Sequence, residues 1–191
     1  KIILCVIFRK KRMIYQFVST FHMVSAVSAL IFGACVLLAR KGTRLHKQLG
    51  YAYFFNMLGL NLTALFIYQL TGHFGPFHGA ALASLLTLLA GFIPAYLRLP
   101  YGRWLEFHYE FMSWSYVGLI AAGVSEVATR LPSAPFWPVV VASMFVVFLS
   151  GGISISRGRG KYMFNIRTSV VQSDSPANWL VAFKRRCTVC Q

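Results

Sequence analysis

Four histidines are the residues of this chain whose type and spacing best suit chemistry inside a membrane. They lie within or beside long apolar segments, at His22, His46, His78 and His108. The chain length from His22 to Arg40 is close to that from His78 to Arg98. At about 1.5 Å per helical residue, these two histidines should lie at a similar depth. We call His22 and His78 the outer pair, and His46 and His108, which stand near basic residues, the inner pair.

Paired imidazoles at two depths suit a haem cofactor, because histidine is a common protein ligand of haem iron. Two layers of paired histidines on alternate helices of a four-helix core would hold two b-type haems, one near each membrane surface. Such a protein would carry electrons across the membrane, with a quinone as a candidate partner. Small residues on the His22 face, including Ala29 and Gly33, would leave room for a porphyrin edge. The sequence therefore predicts haem b bound by His22, His78, His46 and His108.

Carboxylates near the histidines support a second hypothesis, a proton- or metal-coupled transporter. Glu106 and Glu110 accompany the inner pair, and Glu126 lies on the helical face of His108, several turns towards the outer pair. Clusters of histidine and carboxylate can relay protons or bind a divalent metal. A structural alternative stays open, because Glu126 can pair with Arg130 one turn away and the histidines can cap helix ends. The chain would then be a non-catalytic subunit of a larger membrane complex.

The elements that position these side chains must be helices that cross a lipid bilayer. The chain of 191 residues is 57% hydrophobic and 12% charged, and no charged side chain occurs between Lys47 and Arg98. About 20 apolar residues make one helical span. Only helices and closed barrels pair all their backbone groups within lipid, and the apolar runs lack the alternation of barrel strands. The sequence therefore predicts an all-α, polytopic transmembrane helix bundle.

Five spans are predicted, as a four-helix core plus one further helix. They are Ile14–Ala39, Gln48–Leu70, Phe77–Leu97, Trp104–Val127 and Phe136–Ile155. Short connectors make consecutive helices antiparallel neighbours. Phe21–Leu30 aligns with Phe77–Leu86, sharing Phe, His, Ser and the final Leu, which suggests an internal repeat of two hairpins.

The net charge of +15 is concentrated at the ends of the apolar runs. Lys and Arg are enriched in cytoplasmic loops, so the basic first and third connectors and the basic C-terminal segment predict an outside N-terminus and a cytoplasmic C-terminus. Residues 14–155 would form the bundle, and 156–191 a flexible basic tail against anionic lipids. No basic face carries interleaved aromatic residues, which excludes nucleic acid as a partner. The basic run 9–12 conflicts with this orientation, and a true start at Met13, with 1–12 as an extension, would remove the conflict.

Other motifs are weaker. Cys187 and Cys190 form a CxxC pattern, which is half of a zinc site. The chain has no phosphate-binding loop, no nucleophile elbow and no HExxH pattern. We therefore predict no catalytic residue, and the sequence favours a protein that is not an enzyme in its own right without deciding the question.

Three motifs resemble a bacterial family of predicted multi-pass membrane proteins that is known only as a domain of unknown function. They are His22 in the first helix, the segment 41–51 at the start of the second, and the segment 108–116 at the start of the fourth. The resemblance covers about residues 14–130. Lys47 follows His46 here, where the family usually has arginine. The resemblance implies a bacterial inner-membrane protein and singles out the histidines, but it brings no activity.

Overall fold

The computed structural model describes residues 2–67, 74–98, 103–131 and 135–173, with side chains for 9–10, 12–67, 74–98, 103–131 and 135–160. Over these ranges the chain forms five α-helices: α1 (Ile2–Leu38), α2 (Arg44–Phe66), α3 (Pro76–Leu97), α4 (Trp104–Ala128) and α5 (Phe136–Ser173). Each contains a segment long and apolar enough to cross a membrane. The predicted all-α fold with five spans is confirmed.

Helix α2 begins at Arg44 rather than at the predicted Gln48, because Thr43 caps it. The Thr43 hydroxyl oxygen accepts a hydrogen bond of 3.2 Å from the backbone N–H of His46. A hydroxyl at this position satisfies one of the amide groups that the first turn leaves without a helical acceptor. His46 therefore lies in the first turn of α2, and the helix sets the direction of its side chain.

Helices α1 and α5 are longer than the predicted spans. α1 includes the basic run 9–12, and its apolar span covers Arg12–Leu38. α5 continues to Ser173, so residues 156–173, predicted as the start of the tail, continue the helix. His73, Cys187 and Cys190 lie outside the described residues.

Helices α1 to α4 form a ring. α1 packs against α2 and α4, and α3 packs against the same two helices, with the largest interfaces between α1 and α2 and between α3 and α4. Helices α2 and α4 therefore occupy opposite corners of the ring, as do α1 and α3. Each predicted hairpin is a pair of antiparallel neighbours, as short connectors require. The internal repeat itself stays a prediction.

The part of α5 up to Leu149 packs outside this ring, as expected for a four-helix core plus one helix. Phe77 of α3 stacks on Trp137 of α5 with 5.8 Å between ring centroids. The hydroxyl oxygens of Ser125 in α4 and Ser143 in α5 lie 2.7 Å apart. By its contacts the chain divides into two units, 1–149 and 150–191, and the second is described as far as the end of α5.

The outward faces of the helices carry large apolar side chains that are highly exposed. Phe17 is 73% exposed, Leu86 67% and Phe145 67%. A water-soluble protein rarely exposes apolar surface this extensively, whereas lipid tails solvate it. The outward faces therefore contact the bilayer, which is the predicted partner of the chain.

Glycines let the helices approach closely in the interior of the ring. The core cluster contains Ala29, Tyr53, Phe54, Met57, Leu88 and Leu119. A Cβ atom on Gly33 of α1 would overlap the Tyr116 ring of α4, and one on Gly91 of α3 would lie 2.9 Å from the backbone nitrogen of Met112. The space at Gly33 that we predicted for a porphyrin edge is therefore filled by Tyr116.

Replacing Gly33 with alanine should destabilise the bundle by about 1–3 kcal/mol, because the added methyl group overpacks the contact with Tyr116. The matched control is Gly79→Ala in α3, where an added Cβ meets no atom within 4 Å. Thermal unfolding in detergent, followed by circular dichroism, measures both. Equal melting temperatures for the two variants would show that Gly33 does not hold a close contact.

Candidate functional site

The inner pair meets across the ring. The ring centroids of His46 in α2 and His108 in α4 are 6.5 Å apart, and the ring planes are nearly perpendicular, at 86°. Because α2 and α4 occupy opposite corners, the two imidazoles meet in the interior of the ring. This end of the ring also carries the connectors α1–α2 and α3–α4, and we call it the basic end. Its exposed cations are Arg40, Lys41, Arg44, Lys47, Arg98 and Arg103.

The His108 ring is oriented by the backbone of the neighbouring helix. Its Nδ1 lies 2.9 Å from the Gly91 carbonyl oxygen of α3. A carbonyl can only accept, so Nδ1 carries the proton, and in the neutral ring Nε2 keeps its lone pair. The close approach of α4 at Gly91 makes this bond possible. Pro94, three residues later, lies inside α3 and removes one backbone donor from it.

The backbone N–H of His46 is fixed by its hydrogen bond to Thr43, but the ring makes no hydrogen bond through Nδ1 in the described residues. That atom is buried and has no hydrogen-bond partner among the described residues. Leaving a buried polar atom without a partner costs about 1–3 kcal/mol, and a group bound at this nitrogen would recover that cost. Gly50 lies one turn after His46 on the same helical face, and a Cβ atom built there would meet no atom within 4 Å. Open space therefore lies on the helical face that carries His46.

Lys41 places a positive charge beside both rings. Its ammonium group donates to the carbonyl oxygens of Val36 (2.8 Å) and Leu37 (2.9 Å) at the end of α1. The Lys41 charge repels a positive charge on the His46 and His108 rings. The His46 ring also lies beside the Val36 carbonyl. Partial burial lowers the pKa of Lys41 from its ordinary value.

A packed polar layer follows the inner pair towards the middle of the bundle. The hydroxyl of Tyr53 in α2 lies 3.0 Å from the hydroxyl of Ser115 in α4, and both residues are buried. The Tyr116 hydroxyl donates to the Leu30 carbonyl of α1 at 3.1 Å. These bonds join helices across the ring and fix the rotation of α2 and α4, and with it the direction of both histidines.

The outer histidines have separate partners. His22 lies with Nδ1 2.9 Å from the Thr63 hydroxyl of α2, and that hydroxyl donates to the Gly59 carbonyl at 2.8 Å. Nδ1 of His22 is therefore the donor to Thr63. His78, buried in the first turn of α3, accepts a 3.2 Å bond from the Gly75 backbone N–H at its Nδ1. This bond caps α3, which is the structural role that the sequence left open.

The carboxylates have nearby basic partners. Glu126 is exposed and pairs with Arg130, one turn further along α4, and its charge also acts on His22. Glu106 lies 3.5 Å from Arg103. Glu110 lies one turn further along α4. Within the described ranges, no three residues among His, Cys, Asp and Glu gather into a group that could hold a metal ion.

Sequence reasoning identified the inner pair but missed the groups around it. Lys41 was counted only as part of a basic connector. The sequence did not indicate the open space at Gly50 or the close helix contact at Gly91, because a glycine in a helix can have several structural roles. The pattern of polar residues at helical spacing on α2 and α4 could have indicated Tyr53 and Ser115, since a buried hydroxyl needs a partner.

Comparisons with known proteins agree with the membrane assignment. The profile of a family described as "Predicted membrane protein (DUF2306)" matches residues 19–154. The match includes all four histidines and confirms the resemblance stated from the motifs. No curated protein and no solved structure matches the chain.

A double-mutant cycle tests the layer that orients the inner pair. Tyr53→Phe and Ser115→Ala should each destabilise the bundle by about 1–3 kcal/mol, because each leaves a buried hydroxyl unpaired. The double variant should cost less than the sum, with a coupling of about 1 kcal/mol. The free energy of unfolding of all four proteins is measured in detergent, with a denaturing surfactant as the unfolding agent. Strictly additive losses would mean that the two hydroxyls are not bonded in the folded bundle.

Proposed function

The chain belongs to the family of predicted membrane proteins DUF2306, and on that premise we propose that it is a b-type cytochrome in which His46 and His108 bind one haem. The family has no assigned activity, so the proposal rests on the site. Its main support is the placement of two imidazoles on opposite helices, in the interior of a four-helix ring.

The spacing of the inner pair fits two ligands of one iron. A metal–imidazole bond is about 2 Å long, so two imidazoles that held one ion between them would have ring centroids roughly 6 Å apart. The observed separation is 6.5 Å. An edge-to-face contact between two rings also spans about 4.5–7 Å between centroids, so the spectra described below distinguish a shared iron from a direct contact.

The hydrogen bond of His108 fits the same role. Metal-binding histidines usually donate their second ring N–H to a carbonyl or carboxylate, which fixes the tautomer and the ring direction. His108 makes such a bond to Gly91. The Nδ1 atom of His46 has no partner within the described part of the chain, and the open space at Gly50 adjoins that face of α2.

A bound haem would supply one-electron transfer, and the protein would supply the ligands, the orientation and a water-poor surrounding. The exposed apolar faces hold the site within lipid, and the basic end would lie on the cytoplasmic side of a bacterial inner membrane. An electron carrier also needs a partner. A quinone dissolved in the bilayer or a larger membrane complex would serve.

The outer pair receives less support from the geometry. Nδ1 of His78 accepts a hydrogen bond from Gly75, so the neutral ring carries its proton on Nε2 and has no lone pair left for iron. We therefore propose one haem per chain, at the inner pair.

The haem proposal predicts a Soret band and sharp reduced α-bands from detergent-purified protein expressed with ample haem. His46→Ala and His108→Ala should each abolish these bands, because each removes one of the two residues that would hold the haem. The spectra are recorded oxidised and dithionite-reduced, with haem measured against protein, and the expected ratio is about one.

The matched control is His22→Ala, which removes an imidazole of the outer pair and should keep the bands. If the folded protein without substitutions shows no Soret band and no α-bands, the proposal is contradicted and an accessory subunit is favoured. Bands that survive both inner-pair substitutions also contradict it.

Proton transfer is a second candidate function, favoured by one observation at the outer end. Nδ1 of His22 donates to the Thr63 hydroxyl, and that hydroxyl donates to the Gly59 carbonyl, so a chain of hydrogen bonds leads from the imidazole into α2. Histidine changes its charge near neutral pH, and the exposed carboxylate of Glu126 would exchange protons with it. The predicted relay residues Glu106 and Glu110 would extend such a path at the basic end.

For proton transfer, vesicles containing the protein and a pH-sensitive dye should acidify faster under a potassium diffusion potential than protein-free vesicles. Glu126→Gln and His22→Gln should remove most of the added rate. Thr87→Val is the control, because Thr87 is exposed and its hydroxyl bonds only to its own helix at Ala83. Equal rates for all proteins would exclude this function.

A further inference from the structure

Lys41 is positioned at the inner pair by a fixed connector. The Thr43 hydroxyl donates to the Arg40 carbonyl at 2.8 Å and accepts from the His46 backbone. Gly42 adopts a φ of 80°, a conformation that residues with a side chain rarely take. The turn from α1 to α2 is therefore defined by hydrogen bonds and backbone geometry. It keeps the Lys41 ammonium at the same end of the ring as the His46 ring.

The ammonium group of Lys41 retains a donor that no residue in the described ranges accepts. A lysine ammonium has three N–H donors. Val36 and Leu37 accept two of them, which is a common way to cap the last carbonyls of a helix. The third donor has no acceptor in the described residues.

The chain offers little negative charge to pair with Lys41. It contains four acidic residues. Of these, Glu106 and Glu126 lie beside Arg103 and Arg130, and none forms an ion pair with Lys41 in the parts of the chain that the structure describes. A cation at the rim of a low-dielectric site attracts an anionic group strongly. A carboxylate of a bound molecule would therefore meet no competing carboxylate at Lys41 among the described residues.

We propose that Lys41 binds a carboxylate of the molecule held by His46 and His108, which under the proposed function is a haem propionate. The inference rests on that function and deepens it. The two histidines would hold the centre of the ligand, and Lys41 would fix its acidic edge at the basic end. Val36 links the two sets of contacts, since its carbonyl accepts from Lys41 and lies beside the His46 ring.

Binding of hemin and of hemin dimethyl ester to the haem-depleted full chain tests this role, because the ester lacks charged carboxylates. The unchanged chain should bind hemin roughly tenfold or more tightly than the ester, the size of one charge-assisted hydrogen bond. Lys41→Gln should reduce this ratio to near one by weakening hemin binding alone. Lys41→Arg keeps the charge and should retain most of the preference.

Arg44→Gln is the matched control, because it removes an exposed cation from the same end of the ring and should keep the preference. Lys41 also caps α1, so the thermal stability of the haem-free variants is measured separately. A role limited to capping would lower stability and leave the hemin-to-ester ratio unchanged, which would overturn the inference.

The same titrations separate this inference from the proposed function. If hemin binding needs both histidines but Lys41→Gln keeps the ratio, only the role of Lys41 fails. If the unchanged chain binds no hemin, or binds it equally after His46→Ala and His108→Ala, the proposed function fails and the inference fails with it.

Discussion

The bilayer interior offers no hydrogen bonds, and this constraint shapes every level of the molecule. Backbone amides must pair within helices, so each apolar run becomes one span. Charged side chains move to the ends of the spans, where Arg40, Lys41 and Arg44 gather. The outward faces need no polar groups, and they carry exposed Phe and Leu side chains. The few polar groups that remain inside must find partners in the protein or in a bound molecule.

Those interior partners decide how the helices rotate. In lipid, helix association depends on close packing and on hydrogen bonds between helices. Lipid tails are as apolar as the side chains, so no hydrophobic effect drives the helices together. Gly33 accepts the Tyr116 ring and Gly91 accepts the backbone of α4. Tyr53 and Ser115 then bond across the ring, and His108 reaches the Gly91 carbonyl. Packing and polar contacts together direct both inner histidines towards the interior.

The two ends of the ring differ in what they can do. At the basic end, the two imidazoles of the inner pair meet in the interior, and Lys41 keeps a donor that no described residue accepts. At the other end, His22 bonds to Thr63 and His78 caps its own helix. The similar spacing of the four histidines along the sequence therefore conceals two different local roles. A ligand that bridges helices suits the first end better than the second.

The sequence by itself determined that this protein lies in a lipid bilayer, how many helices span it and at which end of the helices positive charge collects. These properties follow from composition and from the length of apolar runs, which do not depend on contacts between helices. It also determined that His46 and His108 lie at a similar depth, because depth follows from the helical rise. Only the tertiary structure decided that these two rings meet across the ring, that Tyr116 fills the space at Gly33, and that His78 serves as a cap. Such contacts depend on the rotation of each helix about its axis, and rotation is set by partners that are distant in the chain.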